Sequence, residues 1–152
     1  MSIASAAWCE PECYDPSAVD LGSLEDVEAL LDTLDHAHSD GRAVLVALTR
    51  PNGDSLRISV GRPTYLDQTE QPVAYDPPYP PAVLTFTYSH QDPPYYSSFN
   101  EAPLPWDLAV FADGELTEVE AIKAVPMSAA RAAVREFLFK DGLPTSVLWE
   151  ED

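Results

Sequence analysis

Apolar residues recur at helical spacing in two segments of the chain, and both segments carry helix-terminus signals. The first segment follows Ser23, a favourable N-cap residue. Its apolar positions are Leu24, Val27, Leu31 and Leu34. The second covers residues 129–140, follows Ser128 and ends before Asp141-Gly142, because glycine is favoured just beyond a helix C-terminus. The spacing therefore predicts two helices, each with one buried face.

Apolar and β-branched runs predict strands between and after these helices. Residues 43–49 and 55–60 flank Pro51-Asn52-Gly53-Asp54, a strong hairpin signal since Asn-Gly supplies the positive φ of a tight turn. Further strands are predicted near residues 73–75, 82–88, 106–111, 116–122 and 145–149. The predicted fold class is α+β, with a mainly antiparallel sheet of about five or six strands packed with two helices.

The chain is predicted to hold one domain preceded by a short arm. Its 152 residues, 45% of them hydrophobic, suffice for one core. Residues 1–22 contain Pro11 and Pro16 and are expected to form an irregular arm, while residues 23–152 form a single α+β domain. Trp8 either pins this arm to the body or serves a partner, and we favour pinning. Three aromatic residues are expected in the core: Trp106, Phe137 and Trp149.

Charge is distributed unevenly along the chain. The formal net charge is −18, and residues 1–41 and 63–122 each hold ten Asp or Glu and no Lys or Arg. An acidic field of this kind attracts cationic partners and opposes direct binding to nucleic acid, which needs basic residues. The alternative is that the acidic residues serve only solubility.

Catalytic and metal-binding motifs are lacking in the sequence. It contains no glycine-rich phosphate loop, no Gly-x-Ser-x-Gly and no His-Glu-x-x-His. Cys9 and Cys13 would need two further ligands, such as His36 and His38, to hold zinc, so reduced thiols are the simpler interpretation. Carboxylate pairs such as Glu118 and Glu120 are expected by chance among 26 acidic residues. We predict neither enzyme activity nor a cofactor.

Targeting signals are likewise lacking, and this leads us to expect a cytoplasmic protein. The first thirteen residues have no basic region of the kind that opens a signal peptide. No apolar run is long enough to cross a membrane as a helix.

An acidic and aromatic middle region supplies the candidate binding residues. Its second part, residues 90–101, reads as a loop framed by prolines, and such loops often carry binding residues. Tyrosines are effective interface anchors, and carboxylates pair with the Lys and Arg of a partner. The candidates are Tyr65, Asp67, Glu70, Asp92, Tyr95, Tyr96, Phe99, Asn100 and Glu101. The alternative for the tyrosines is packing against the neighbouring prolines.

The C-terminal third resembles a known family. Its pattern is a proline, an Ala-rich helix ending in Phe, a Gly-x-Pro turn and a terminal Val-x-Trp-Glu strand. The residues that carry it are Val125-Pro126-Met127-Ser128-Ala129-Ala130, Ala133, Phe137, Gly142-Leu143-Pro144, Val147 and Trp149-Glu150. Together with the Leu-rich helix, the Asn52-Gly53 hairpin and Gly61, this resembles the first-numbered immunity-protein family of bacterial polymorphic toxin systems over about residues 23–151. Leu143 departs from that pattern, because the family usually has a basic residue in the Gly-x-Pro turn.

The resemblance implies a cytoplasmic antitoxin that is not an enzyme and is encoded beside its toxin. Members of the family often accompany nucleic-acid deaminase toxins, including the double-strand DNA cytidine deaminase type, and block the substrate site. The expected partner is therefore one cognate toxin domain with a basic groove. Two alternatives remain from the residues themselves: an acidic nucleic-acid mimic that inhibits another basic protein, and a small enzyme or ligand-binding module built on the tyrosine-rich loop.

Overall fold

A computed structural model describes residues 2–13, 15–91 and 93–152 of the chain. The two α-helices in these ranges are α1 (Leu24–Ala37) and α2 (Met127–Phe139), with one 3-10 helix at Ala121–Lys123. The strands are β1 (Ala4–Trp8), β2 (Ser17–Leu21), β3 (Val44–Thr49), β4 (Ser55–Val60), β5 (Thr64–Leu66), β6 (Pro72–Val73), β7 (Pro81–Thr87), β8 (Tyr95–Phe99), β9 (Asp107–Ala112), β10 (Glu115–Val119), β11 (Ala124–Pro126) and β12 (Leu148–Glu151).

The predicted fold class is wrong in the size and the type of the sheet. The described ranges hold a twelve-stranded sheet whose main order is β12-β8-β7-β4-β3-β9-β5-β6. The sheet is mixed, because β3 and β9 pair in parallel at Val44 and Phe111. Five strands had no clear sequence signal, namely β1, β2, β5, β8 and β11. Each is only three to five residues long, too short for the alternation that identifies a strand.

The sheet branches at β3 and β9. Strand β4 pairs along all of β3, so β1 and β9 share the opposite edge of β3. Strand β10 pairs along one edge of β9, so β3 and β5 share the other. This branching brings β5 to the end of α1, where the Thr64 hydroxyl donates to the Gly41 carbonyl at 2.8 Å.

The predicted helices are present, and α1 has the predicted cap. The hydroxyl of Ser23 accepts a hydrogen bond from the Asp26 amide at 3.1 Å, which satisfies a backbone donor of the first turn. The buried positions of α1 are Val27, Leu31 and Leu34. Helix α2 begins at Met127, earlier than predicted, because Pro126 and not Ser128 occupies its N-cap position.

Two apolar clusters stabilise the fold. The larger joins both helices to the sheet and contains Phe137, which is 1% exposed and confirms its predicted core position. The smaller contains Tyr65, Leu104, Leu108 and Ala124. The two predicted core tryptophans lie at the margins and are half-buried. Trp106 packs on the smaller cluster and Trp149 on the larger.

Residues 1–22 contribute two strands where irregular chain was expected. Strand β1 pairs with both β2 and β3, so this segment extends the sheet. Trp8 is half-buried against the larger cluster, in agreement with pinning. Farther along, the Glu12 amide donates to the Gly114 carbonyl at 2.9 Å, which ties the segment to the β9–β10 turn. The division of the chain into an arm and a domain at residue 22 stays a prediction.

Candidate functional site

The predicted binding residues lie in two separate parts of the sheet. Tyr65, Asp67 and Glu70 belong to the β5–β6 hairpin, and the residues from 95 to 101 form β8 and its C-terminal end. Four strands separate β8 from β5 in the main order of the sheet. Asp92 lies outside the described residues. The candidate surface therefore consists of two separate patches.

Tyr65 is a core residue and not a surface residue. Its side chain is 4% exposed and meets the ring of Tyr75 edge to face, with 5.1 Å between ring centroids. Burial raises the pKa of Tyr65 to about 12, although nearby Arg62 opposes this increase. The hydroxyl is buried and has no hydrogen-bond partner within the described part of the chain. This burial arises from residues distant in sequence, such as Leu104 and Leu108, so no local pattern predicts it.

Asp67 organises the hairpin turn. Its Oδ1 accepts three hydrogen bonds: from the Thr69 hydroxyl at 2.7 Å, the Thr69 amide at 2.8 Å and the Gln71 amide at 3.0 Å. The Thr69 hydroxyl and these amides favour the ionised form and lower the pKa of Asp67. Asp67 thus has a structural role in the turn, and its other carboxylate oxygen has no part in these three bonds.

Glu70 lies at the tip of the hairpin, in a crowd of carboxylates. Its φ of +62° places it in the left-handed region, which turns the chain back toward β6. A hydrogen bond with Glu70 raises the pKa of Glu118 on β10, and desolvation and the charges of Glu70 and Asp107 raise it further. We call Asp67, Glu70, Asp107 and Glu118 the hairpin patch. Within this patch the charges of Glu70 and Asp107 oppose the ionisation of Glu118, and a partner's cation would relieve that opposition.

The second patch lies on a strand where the sequence predicted a loop. Strand β8 pairs with both β7 and β12 and therefore lies inside the sheet. Tyr95 is 45% exposed, whereas Tyr96 packs against the larger apolar cluster and lies edge to face with Tyr88. Phe99 is half-buried and Glu101 is exposed. We call Tyr95, Tyr96, Phe99 and Glu101 the β8 patch.

Asn100 connects the end of β8 to the hairpin region. Its side-chain amide donates to the Ala124 carbonyl at 2.9 Å and to the Tyr79 hydroxyl at 3.2 Å. Tyr79 in turn packs on the small cluster that contains Tyr65. The structure therefore brings Asn100 toward Tyr65 through Tyr79, while Tyr95 at the other end of β8 is not part of this connection.

Sequence reasoning missed four residues of this region: Tyr75, Tyr79, Asp107 and Glu118. The two tyrosines stand in the segment Tyr75-Asp76-Pro77-Pro78-Tyr79-Pro80, whose aromatic and proline content is the one signal available. Glu118 was attributed to chance pairing with Glu120, but its observed neighbour is Glu70. Glu70 and Glu118 are far apart in sequence, so only the fold places them together.

Most positive side chains are already paired within the chain. Six of the eight Lys and Arg residues form ion pairs: Arg42–Glu12, Arg50–Asp141, Arg57–Asp113, Lys123–Asp152, Arg131–Asp32 and Arg135–Glu28. Among the described residues, no such pair includes Glu101 or a member of the hairpin patch. These carboxylates therefore have no basic side chain within ion-pair distance in the described part of the chain.

The structure also bears on metals and membranes. In residues 2–13, 15–91 and 93–152, no group of three or more His, Cys, Asp or Glu side chains could hold a metal ion. His38 is buried, with Nε2 lying 2.8 Å from Glu10 Oε2, so it is not the solvated helix-end residue that its position suggests. Within the same ranges, the longest apolar helix stretch falls short of what a membrane crossing requires.

A comparison with known protein families identifies most of the chain. The sequence model of a family described as "Immunity protein Imm1" matches residues 15–151, which is nearly the whole chain. No curated protein matches the chain.

Proposed function

The chain belongs to the immunity protein Imm1 family, and from this premise we propose that it is an antitoxin that binds and blocks the substrate site of a cognate secreted toxin domain. An immunity protein acts as an inhibitor rather than as an enzyme. The proposed antitoxin works in the cytoplasm, where a toxin would reach its target, and it binds its toxin one to one.

We further propose that the toxin is a nucleic-acid deaminase acting on cytidine. The sequence resemblance supports this choice, because such toxins often accompany the family. Charge supports it as well, since a deaminase must attract a phosphate backbone with Lys and Arg. A protein with a net charge of −18 can occupy a basic groove of that kind and is steered toward it over long distances.

The hairpin patch is the observation that carries the proposed binding surface. Carboxylates that repel one another in the free protein gain a favourable interaction when a cation enters between them. No ion pair within the described chain provides that cation. Lys and Arg side chains of the toxin would provide this cation. Relief of the repulsion that exists in the free protein would then contribute to the free energy of binding.

The β8 patch is the proposed second contact. Exposed Tyr95 and half-buried Phe99 offer aromatic surface, and Glu101 adds a carboxylate. Aromatic anchors surrounded by charged residues are typical of interface hot spots. Asp92 belongs to the proposal on sequence grounds. Tyr65 is buried and Asn100 is half-buried, and both are proposed to position the surface.

A second candidate function is an acidic nucleic-acid mimic that inhibits some other basic protein. The excess of unpaired carboxylates favours it to the same degree as it favours a toxin. The two candidates differ in selectivity and in salt dependence. A general mimic binds several basic proteins weakly at high salt, whereas a dedicated antitoxin retains its complex because buried aromatic contacts are insensitive to screening.

Rescue of a poisoned cell tests the proposal. The toxic C-terminal domain encoded beside the gene is expressed with and without this protein, and the complex is purified at about 0.5 M salt, where exposed charge pairs are strongly screened. Survival with a one-to-one complex supports the antitoxin, and a deaminase assay on the purified toxin decides its chemistry. Cell death without a complex would leave the nucleic-acid mimic as the better explanation.

A further inference from the structure

Strand β10 forms a free edge of the sheet. It pairs with β9 along one side and with no other strand in the described ranges. Its first four residues, Glu115 to Glu118, are all exposed, so neither face of this part of the strand is covered. Leu116 is 61% exposed, which is unusual for a large apolar side chain in a strand. A free edge of this kind leaves backbone donors and acceptors available to a further strand.

The turn before β10 determines which backbone groups lie on the free edge. Asp113 and Gly114 form a two-residue loop, and both have the positive φ, +52° and +85°, that a type I′ hairpin turn requires. The two residues that flank such a loop form a hydrogen-bonded pair, and bonded and non-bonded pairs alternate along an antiparallel ladder. The N–H and C=O groups of Leu116 and Glu118 therefore point away from β9, toward the free edge.

Other strands that pair on one side only are less suited to a basic partner. Strands β6 and β11 have two and three residues, and β2 carries a single carboxylate, Asp20. Strand β12 carries Glu150 and Glu151, but it leads into Asp152, which forms an ion pair with Lys123 at 3.3 Å. Strand β10 is longer than β12 and has no basic side chain beside it among the ion pairs of the described residues.

The charge around β10 favours a basic partner. Glu115 and Glu118 lie in the strand, and Glu120 follows it directly. Glu118 also belongs to the hairpin patch, so Glu70 and Asp107 add their charges at the same place. In the part of the chain that the structure describes, no ion pair includes any of these five residues. A second copy of this chain is disfavoured on the same edge, because it would bring together two proteins that each carry a net charge of −18.

We infer that the free edge of β10 receives an extended, basic segment of the toxin, which joins the sheet as a further strand. This inference rests on the proposed function and adds the mode of contact to it. In strand addition, main-chain hydrogen bonds supply affinity and side chains at alternate positions supply selectivity. Leu116 and Glu118 share one face because they lie two residues apart. The added strand therefore carries an apolar residue beside Leu116 and, two residues away, a Lys or Arg beside Glu118.

A proline on the free edge tests the inference through the backbone. Leu116→Pro removes an amide donor that β9 does not use, so the β9–β10 ladder keeps its hydrogen bonds. Leu116→Thr is the matched control, because it changes the same side chain but keeps the donor and favours a strand. We expect Leu116→Pro to weaken the toxin complex about tenfold, as the loss of a hydrogen bond does, and Leu116→Thr to weaken it less. Equal losses in the two variants would assign the contact to the side chain and overturn the edge site.

A second measurement uses the wild-type protein and does not depend on how well Leu116→Pro folds. Amide hydrogen exchange is followed by NMR in the free 15N-labelled protein and in its toxin complex. Strand addition should protect the amides of Leu116 and Glu118 in the complex, whereas the Thr117 amide, which is already bonded to β9, should change little. Unchanged exchange at Leu116 and Glu118 in the complex would overturn the inference.

A short peptide separates this inference from the proposed function. Acetyl-Lys-Thr-Val-Thr-Lys-amide places valine between two lysines on one face of a strand, in either direction of pairing. It is titrated into the 15N-labelled protein, and acetyl-Glu-Thr-Val-Thr-Glu-amide is the control of opposite charge. We expect the lysine peptide alone to shift the amide signals of Leu116 and Glu118, and these shifts to disappear in Leu116→Pro.

The outcomes of these experiments are distinct. Wild-type toxin affinity in Leu116→Pro, or a lysine peptide that shifts no β10 amide, would overturn the edge site while leaving the toxin complex in place. A wild-type dimer that Leu116→Pro dissociates would assign the edge to a second copy of the chain and also overturn the inference. A protein that binds the lysine peptide at β10 but no toxin would overturn the proposed function and leave a strand-addition site for another basic protein.

Discussion

Gly61 packs against His38 so closely that a Cβ atom on Gly61 would lie 2.5 Å from both the Cβ and the carbonyl oxygen of His38. Gly61 also has a φ of +93°, and its amide donates to Asp35 of α1. Because α1 ends beside this contact, Gly61 holds the end of α1 against the segment that follows β4. A side chain at position 61 would force the end of α1 away from the sheet.

Gly61→Ala is therefore expected to destabilise the protein strongly. Gly142→Ala is the matched control, since Gly142 has a similar φ of +87° but its added Cβ would meet nothing nearer than the Tyr88 hydroxyl at 3.7 Å. The control should lose about 1–2 kcal/mol from left-handed backbone strain alone. Gly61→Ala should lose more, as measured by urea unfolding. Equal losses of unfolding free energy in the two variants would mean that the end of α1 can move to accommodate the added Cβ at little cost.

Two substitutions at Asp67 are expected to separate its structural role in the turn from the contribution of its charge to toxin binding. Asp67→Asn keeps an acceptor oxygen for Thr69 and Gln71, so the hairpin survives, whereas Asp67→Ala removes the acceptor and lowers the melting temperature. Binding to the toxin should fall in both variants if the charge contributes. Thermal unfolding and titration calorimetry measure the two effects. An Asn variant with wild-type affinity would restrict Asp67 to the turn.

The lowered pKa of Asp67 predicts a pH dependence for the hairpin. A carboxyl whose folded pKa lies below its unfolded value of 3.8 stabilises the fold above that value. The stabilisation is lost as pH falls from near 3.8 through the lower folded pKa. The protection factors of the Thr69 and Gln71 amides, which compare their exchange with the intrinsic rate at the same pH, should therefore fall in this acid range. Unchanged protection there would contradict the proposed role of the ionised carboxylate.

Glu118 should show the opposite dependence. Its hydrogen bond with Glu70 raises its folded pKa above 4.5, so the folded state holds the proton more tightly than the unfolded state. Stability from this site is present below pH 4.5 and is lost as pH rises through the raised pKa. Glu118→Gln should therefore raise the melting temperature at neutral pH and weaken toxin binding. A lower melting temperature together with weaker toxin binding in this variant would indicate that Glu118 is an ordinary structural residue.

Charge reversal tests the two patches together. Glu70→Lys and Glu101→Lys each replace an exposed carboxylate by a cation, and each should slow association with the toxin and reduce protection of cells. Tyr96→Ala combined with Glu101→Lys should reduce protection further. Glu25→Lys, on the exposed face of α1, is the control for net charge. Equal effects in all three single variants would mean that the field of the whole protein, and not these patches, determines binding.

The local elements of this fold were predictable because their signals are local. Ser23 caps α1 within three residues, and Asn52-Gly53 turns β3 into β4 with the Asn52 side chain accepting from the neighbouring Asp54 amide. Strand β8 was missed because two prolines precede it and two serines lie within it, which conceals a strand that is stabilised by pairing with β7 and β12. The parallel contact of Val44 with Phe111 likewise depends on residues that are distant in sequence.

The candidate site was predictable in composition but not in arrangement. Tyr65, Glu70 and Tyr95 were predicted as binding residues because they are aromatic or acidic and lie in a proline-rich region. Burial of Tyr65 depends on Leu104, Leu108 and other residues of the small cluster, which no short sequence pattern reveals. Glu70 approaches Glu118 because β10 and β5 both pair with β9, which brings β10 close to the β5–β6 hairpin. The sequence thus identifies the aromatic and acidic side chains, whereas the branched sheet determines which of them lie close together.

Displacement of nucleic acid from the toxin is the measurement that tests the central claim most directly. A fluorescently labelled oligonucleotide is bound to a catalytically inactive form of the neighbour-encoded toxin domain, and its anisotropy is followed as this protein is added. The account predicts release of the oligonucleotide in proportion to added protein, complete at one equivalent. A stable ternary complex, or an oligonucleotide that stays bound while this protein also binds, would contradict the proposal that its acidic surface occupies the substrate groove.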